Sequence, residues 1–248
     1  MHMFDAPGEP RFPPYAYRDL EVVSVRKHRG LIRVVLGGKA LADLTVPLPA
    51  AWVKVFLPGP SGDVGRAYTV RRFDPVRQLL EIDVVRRRQG GALSNWIYER
   101  LAVGDHLHVA GPRGGVEPTA QADWHLLLGD ETALPAIASM VEAGLPGRSI
   151  ALVEVPFPDD AYDENPLIQF LFRGRAANDE PSYLETALDS LPTLPGRGRV
   201  WIAGEAAVVK RLKRAAVDRW GPSGVTVHAA GYWKMGQTDY KDDALVTG

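Results

Sequence analysis

The 248-residue sequence contains no cysteine. That absence removes disulfides, cysteine nucleophiles, thiolate zinc sites and iron–sulfur clusters held by the chain's own thiolates. It fits a reducing compartment. Long apolar runs are missing too. No stretch is long enough to cross a bilayer, and the opening Met1 to Pro14, MHMFDAPGEPRFPP, has no apolar leader core. A basic surplus is also lacking: 29 Lys+Arg stand against 30 Asp+Glu, for a net charge of -1. General nucleic-acid binders usually carry such a surplus. A cytoplasmic, monomeric protein that engages neither membrane nor nucleic acid is therefore expected. Gly-x-Ser-x-Gly is absent, which weakens a Ser/His/Asp hydrolase. The six histidines (2, 28, 106, 108, 125 and 228) show no metal-ligand spacing, so no metal site is expected.

What remains is an ordinary globular composition, 46% hydrophobic and 24% charged. The length suits two domains. Charge is divided unevenly: residues 1–124 hold 17 basic and 13 acidic side chains, residues 125–248 hold 12 and 17. A basic front half suggests that anions are handled there.

Two textures follow one another. LEVVSV, LIRVVL, WVKVFLP, AYTVRRF, LLEIDVV and HLHVAG, separated by Gly, Pro and Asp, read as six short strands of an antiparallel barrel or sandwich. A helix starting near Ala92 interrupts them. From Trp124 onward, strands WHLLLG, IALVEV, LIQFLF, VWIAG and VTVHAAG alternate with helices over Glu131–Ala143, Ser182–Leu191 and Glu205–Trp220. That alternation implies a mostly parallel sheet with helices on both faces. The expected fold is thus a β-barrel plus α/β: a barrel over 1–116, then a nucleotide-binding-type sheet over 117–248. Asp130 is read as the N-cap of the first sheet helix. A ligand of such a pair sits in the cleft at the carboxyl ends of the parallel strands.

Four signals could carry chemistry. Arg66-Ala67-Tyr68-Thr69 lies within a strand, where Arg66 and Tyr68 share a face. The guanidinium suits a diphosphate, the phenol ring suits a flat ligand, and Thr69 can bond a ring nitrogen. Taken alone, these four residues better suit a strand with one exposed arginine and a half-buried tyrosine. Gly90-Gly91-Ala92-Leu93-Ser94 runs into a helix N-terminus, where main-chain N–H groups, the helix dipole and the Ser94 hydroxyl favour an anion. Lys54, Arg113 and Lys234 are separated cations whose spacing does not show that they meet. Gly204-Glu205 stands between a strand and a helix, where a nicotinamide nucleotide could bind, although Gly-x-Gly-x-x-Gly is absent.

In order, R-x-Y-T at Arg66–Thr69, the Ile82–Trp96 stretch IDVVRRRQGGALSNW, Gly104-Asp105, Ala110–Gly114, Gly129–Ile137, Ala203-Gly204-Glu205 and Gly231–Lys234 resemble the siderophore-interacting proteins. These are flavin-dependent ferric-siderophore reductases of the ferredoxin–NADP reductase-like superfamily. The resemblance covers about Tyr17 to Gly236. It implies FAD held by Arg66, Ala67, Tyr68 and Thr69, by Asp83 and Val85 of the following strand, and by Gly91, Ala92 and Ser94. Thr132 falls near the adenine side. Arg87 stands where many relatives have histidine. The resemblance also implies a siderophore pocket of Lys54, Arg113 and Lys234, with Trp233 beside them. Electrons would come from NADH, NADPH or reduced ferredoxin, the last as a protein partner, with Gly204 and Glu205 toward the nicotinamide nucleotide. Catalysis would run through the flavin and not through a catalytic side chain. Two other functions compete: a carrier that binds siderophore without turnover, and a flavin reductase with another acceptor.

Overall fold

The computed structural model describes residues 17–28, 30–56, 65–85, 91–118, 122–162, 165–174, 182–237 and 240. The six alternating runs form β1 (Tyr17–Lys27), β2 (Leu31–Gly37), β3 (Trp52–Phe56), β4 (Gly65–Asp74), β5 (Leu79–Val85) and β6 (His106–Arg113). They close a barrel in the order β1-β2-β5-β4-β3-β6 through antiparallel ladders. Alternation gives each strand its inner face: Ile32, Val34 and Leu36 of β2 meet Val53 and Val55 of β3 and Leu80 and Ile82 of β5. One helix, α1 (Ala92–Arg100), joins β5 to β6 and closes one mouth of the barrel with Leu93 and Ile97.

The second half is a parallel sheet in the order β11-β10-β7-β8-β9. Its strands are β7 (Trp124–Asp130), β8 (Arg148–Val155), β9 (Ile168–Phe172), β10 (Gly198–Glu205) and β11 (Val225–Trp233). All seven residues of β7 are buried, as a central strand covered on both faces requires. Helix α2 (Leu134–Ala143) covers one face with Leu134, Ile137 and Met140. Helices α3 (Tyr183–Ser190) and α4 (Ala206–Trp220) cover the other with Leu184, Leu188, Val209 and Leu212.

Barrel and sheet meet through named contacts. Arg71 of β4 makes a two-pronged ion pair with Glu142 of α2, at 2.7 Å for each prong. Ser139 accepts the Ala50 N–H at 2.9 Å, and Tyr232 of β11 is hydrogen-bonded to Thr69 of β4.

The sheet helix expected from Glu131 starts three residues later. Its N-cap is Ala133, and Asp130 is the last residue of β7. One oxygen of that carboxylate binds Thr132 in the turn ahead of α2, and the other is drawn to Glu205 and Trp233 at the sheet end.

Candidate functional site

Strand β4 changes partner halfway. Gly65–Thr69 pairs with β3, from Phe56↔Gly65 to Trp52↔Thr69. Val70–Asp74 pairs with β5, from Val70↔Ile82 to Asp74↔Leu79. β5 itself continues along β2 as far as Val85. The first half of β4 and the last residues of β5 therefore diverge, and a notch opens between them under the start of α1. Arg66 lies opposite Val55 and Tyr68 opposite Val53, so both point to the same side. The Tyr68 hydroxyl meets the Ser94 hydroxyl at 3.0 Å, which joins the Arg-x-Tyr-Thr strand to the α1 N-terminus. Burial pushes the Tyr68 phenol up to about 12. Burial also lowers the half-buried Arg66 guanidinium from its ordinary value, but an arginine stays cationic.

The N-cap of α1 is Gly91, whose backbone is extended. Among the described residues no side chain caps this end, and its first turn holds no acid. Its first N–H groups consequently favour an anion. A cation, a phenol ring, a hydroxyl and a helix end thus converge on one notch. Ala67 is exposed on the opposite side of β4 from Arg66. Asp83 has a partner within the barrel. Its buried carboxylate accepts two hydrogen bonds from Arg33, at 2.8 and 2.9 Å, across the β2–β5 ladder. Arg33 in turn lies 5.8 Å over the Tyr162 ring, so this pair ties barrel to sheet. Val85, half-buried, ends β5. Arg87 and the Ala92 side chain lie outside the described residues.

The carboxyl ends of β7, β10 and β11 form the facing wall. Asp130 accepts the Thr132 main-chain N–H at 2.9 Å and the Thr132 hydroxyl on one oxygen. On the other it accepts the Glu205 N–H at 2.9 Å and the Trp233 indole N–H at 2.8 Å. Gly204 permits this approach: its φ is +142°, and a Cβ there would stand 2.6 Å from an Asp130 oxygen. Trp233 is thereby fixed and 9% exposed. The Tyr232 hydroxyl, hydrogen-bonded to Thr69, has its pKa raised by burial and then by Asp130.

Glu205 caps its own helix. One carboxylate oxygen accepts the N–H groups of Ala207 and Val208, at 2.6 and 2.9 Å, and the other accepts that of Met235 at 3.1 Å. The α4 N-terminus, where a dinucleotide phosphate would dock, already holds an anion. The same carboxylate positions the turn that carries Lys234.

Trp52, Lys54 and Phe56 alternate onto one face of β3, beside Ala67 and Thr69. The Lys54 ammonium lies 5.3 Å over the Phe56 ring and the Arg113 guanidinium 5.6 Å over Trp52. Two of the three cations therefore share a face on aromatic supports. Lys234 is exposed, two residues beyond Tyr232, which touches that face at Thr69. Among the described residues no group of three or more His, Asp or Glu is placed to hold a metal ion.

Sequence reasoning missed Asp130 as the hub of this wall and Tyr232 as its link to the barrel. Both lie inside motifs it quoted, and only their partners were invisible.

Comparison with known proteins bears on this arrangement. Residues 63–116 match the siderophore-interacting FAD-binding domain and residues 122–236 match the siderophore-interacting protein family. The crystal structure of a siderophore utilization protein from T. fusca superposes with a TM-score of 0.79 at 33% identity, over 92% of this chain and 96% of that one. The ferric vibriobactin reductase of Vibrio cholerae is 28% identical over 85% of this chain and 86% of its own length. The NADPH-dependent ferric-chelate reductase of Escherichia coli is 29% identical over 90% and 97%. With the barrel, its notch and the parallel sheet in place, the chain belongs to the siderophore-interacting protein family and carries that family's FAD-binding domain.

Proposed function

We propose that this protein is an FAD-dependent reductase of ferric siderophores, fed by a reduced nicotinamide nucleotide or by ferredoxin. The observation that carries the reading is the Tyr68–Ser94 contact, which brings a cationic strand and an uncapped helix end to one notch. FAD fits these residues: Arg66, the Gly91–Ser94 turn and its main-chain N–H groups suit the diphosphate, and Tyr68 suits the ring system. When bound, FAD accepts electrons in pairs as hydride and passes them singly to a ferric ion.

The chain's own residues do the rest. Arg66 and the α1 N-terminus bind the two phosphates by charge-assisted hydrogen bonds. Tyr68 stays a neutral phenol through the physiological range, and Ser94 fixes its orientation. Lys54 and Arg113, with Lys234 on its turn, attract the anionic oxygen donors of the substrate. Those hard donors prefer Fe(III), so reduction weakens the complex without any protein ligand to iron. Glu205 holds the Lys234 turn instead of receiving a phosphate. The nicotinamide end of the donor is assigned to Gly204, with its phosphates elsewhere. The reaction is placed in the cytoplasm, where such donors are available. No helix of the described residues is long and apolar enough to cross a membrane.

The test is anaerobic. FAD-loaded protein is reduced by NADH, NADPH or reduced ferredoxin in turn, then mixed with a panel of ferric chelates. Bleaching by a donor and recovery of flavin absorbance with ferric siderophore support the reading. Siderophore binding without recovery favours the carrier. Recovery only with non-iron acceptors favours the flavin reductase.

A further inference from the structure

We propose a second ligand site, for a small planar aromatic monocarboxylate, at the amino end of the parallel sheet. The register places its residues on the face covered by α2. His125 of β7 lies beside Arg199 of β10, and one step along, Leu127 lies beside Trp201, which lies beside His228 of β11. A cavity of about 210 Å³ opens over these two rows, closed by Met140 and Leu145 at the end of α2 and by the linker at Val116. A cavity of about 150 Å³ accommodates a benzene ring, so this one has room for a ring and a carboxylate. Asp130 lies five positions along β7 from His125, roughly 16 Å on an extended strand, so the site is distinct from the flavin notch.

The lining sorts into two parts. Leu127, Met140 and Leu145 give apolar walls, and the Trp201 and His228 rings stack with planes 13° apart. Apart from Glu117, the polar groups are positive or neutral. Arg199 is held at the linker by donating to the Glu117 carbonyl at 2.8 Å. His125 is 3% exposed and lines the cavity; its ring reaches the Pro146 main chain, and neither nitrogen makes a hydrogen bond of ordinary geometry. A buried imidazole so weakly partnered is costly, and a ligand oxygen would relieve it. The single acidic residue of the lining, Glu117, has its side chain exposed. Burial lowers the pKa of both histidines and the Arg199 charge lowers it further, which agrees with a positive potential favouring an anion. An aromatic ring for the walls and one carboxylate for Arg199 and His125 satisfy both halves.

The experiment uses the full chain saturated with FAD and three probes: benzoate, its neutral isostere benzamide, and acetate. Binding is read by calorimetry and by the Trp201 indole 1H–15N signal, assigned with Trp201→Phe. Benzoate is expected to bind at roughly 1 mM, as suits so small a ligand, with benzamide and acetate about tenfold weaker. Arg199→Met should abolish the preference for benzoate over benzamide, and Leu145→Phe should fill the cavity and weaken both. Near-UV circular dichroism verifies folding of each variant. Absence of benzoate binding to the folded parent overturns the proposal. So does equal binding of benzamide, or benzoate that shifts the flavin absorbance and leaves Trp201 unmoved. None of these outcomes touches the flavin reading, which is tested by reoxidation.

Discussion

Glu142→Gln tests the clamp between barrel and sheet most directly. Arg71, whose side chain is 2% exposed, is held by two hydrogen bonds of 2.7 Å to a carboxylate that is 33% exposed. The Arg71 hydrogen bond is the main cause that holds Glu142 near 2, against an ordinary 4.5. At about 1.4 kcal/mol per pKa unit that preference corresponds to roughly 3 kcal/mol, which solvent screening at this exposure reduces to roughly 1–2 kcal/mol. The substitution also leaves a buried guanidinium without its counter-charge, which adds to the loss. A total near 2–3 kcal/mol is expected, measured by urea denaturation at pH 7. Because the folded pKa is depressed, the contribution is complete above about 4.5 and disappears as pH falls toward 2. The gap between parent and variant should therefore narrow steadily below pH 4.5. Arg71→Met combined with Glu142→Gln should be more stable than the sum of the single losses predicts, since no buried charge is left alone. A single-variant loss within 0.5 kcal/mol of zero, or a gap that does not depend on pH, would refute the reasoning.

Three other outcomes address the site. Arg66→Ala deletes a charge-assisted contact of roughly 1.5–3 kcal/mol, so FAD affinity should fall by about one to two orders of magnitude in a fluorescence titration. Unchanged affinity counts against the diphosphate role. Ser94→Asp sets an anion against the α1 N-terminus, and the folded variant should purify with little flavin; a full flavin complement contradicts this. Replacing Lys54, Arg113 and Lys234 together by alanine should abolish most binding of a highly anionic ferric siderophore and much less of a neutral one, with the flavin spectrum unchanged. High salt should imitate it, since the screening length falls to about 3 Å near 1 M. Equal binding of both chelates by parent and triple variant would falsify the cationic face.

The elements themselves were legible because their signals are local. Alternation gave the six barrel strands, and Ser182 with Glu185 forms the capping box of α3 where the helix was expected to start. Partner choice was not legible. Arg71 and Glu142 are 71 positions apart, and the four donors on Asp130 come from three segments, so no window of sequence contains either set. Glu205 shows the same limit at short range. Strand, glycine and helix suggested a nucleotide, and only the side chain's direction reveals that it fills the helix end itself. Asp83 lay in a quoted motif, yet its carboxylate belongs to Arg33 on a strand fifty residues earlier.

The contact between Gly204 and Asp130 has an evolutionary consequence. A methyl group at position 204 would stand 2.6 Å from one carboxylate oxygen and 2.7 Å from its carbon, so neither residue can drift alone. A lineage that gains any side chain at 204 must first shorten or lose the acid at 130. With that acid go the anchors of the Trp233 indole and of the Thr132 turn. Across relatives the two positions should therefore change as a pair, and those that have exchanged both should show a reorganised final turn after β11.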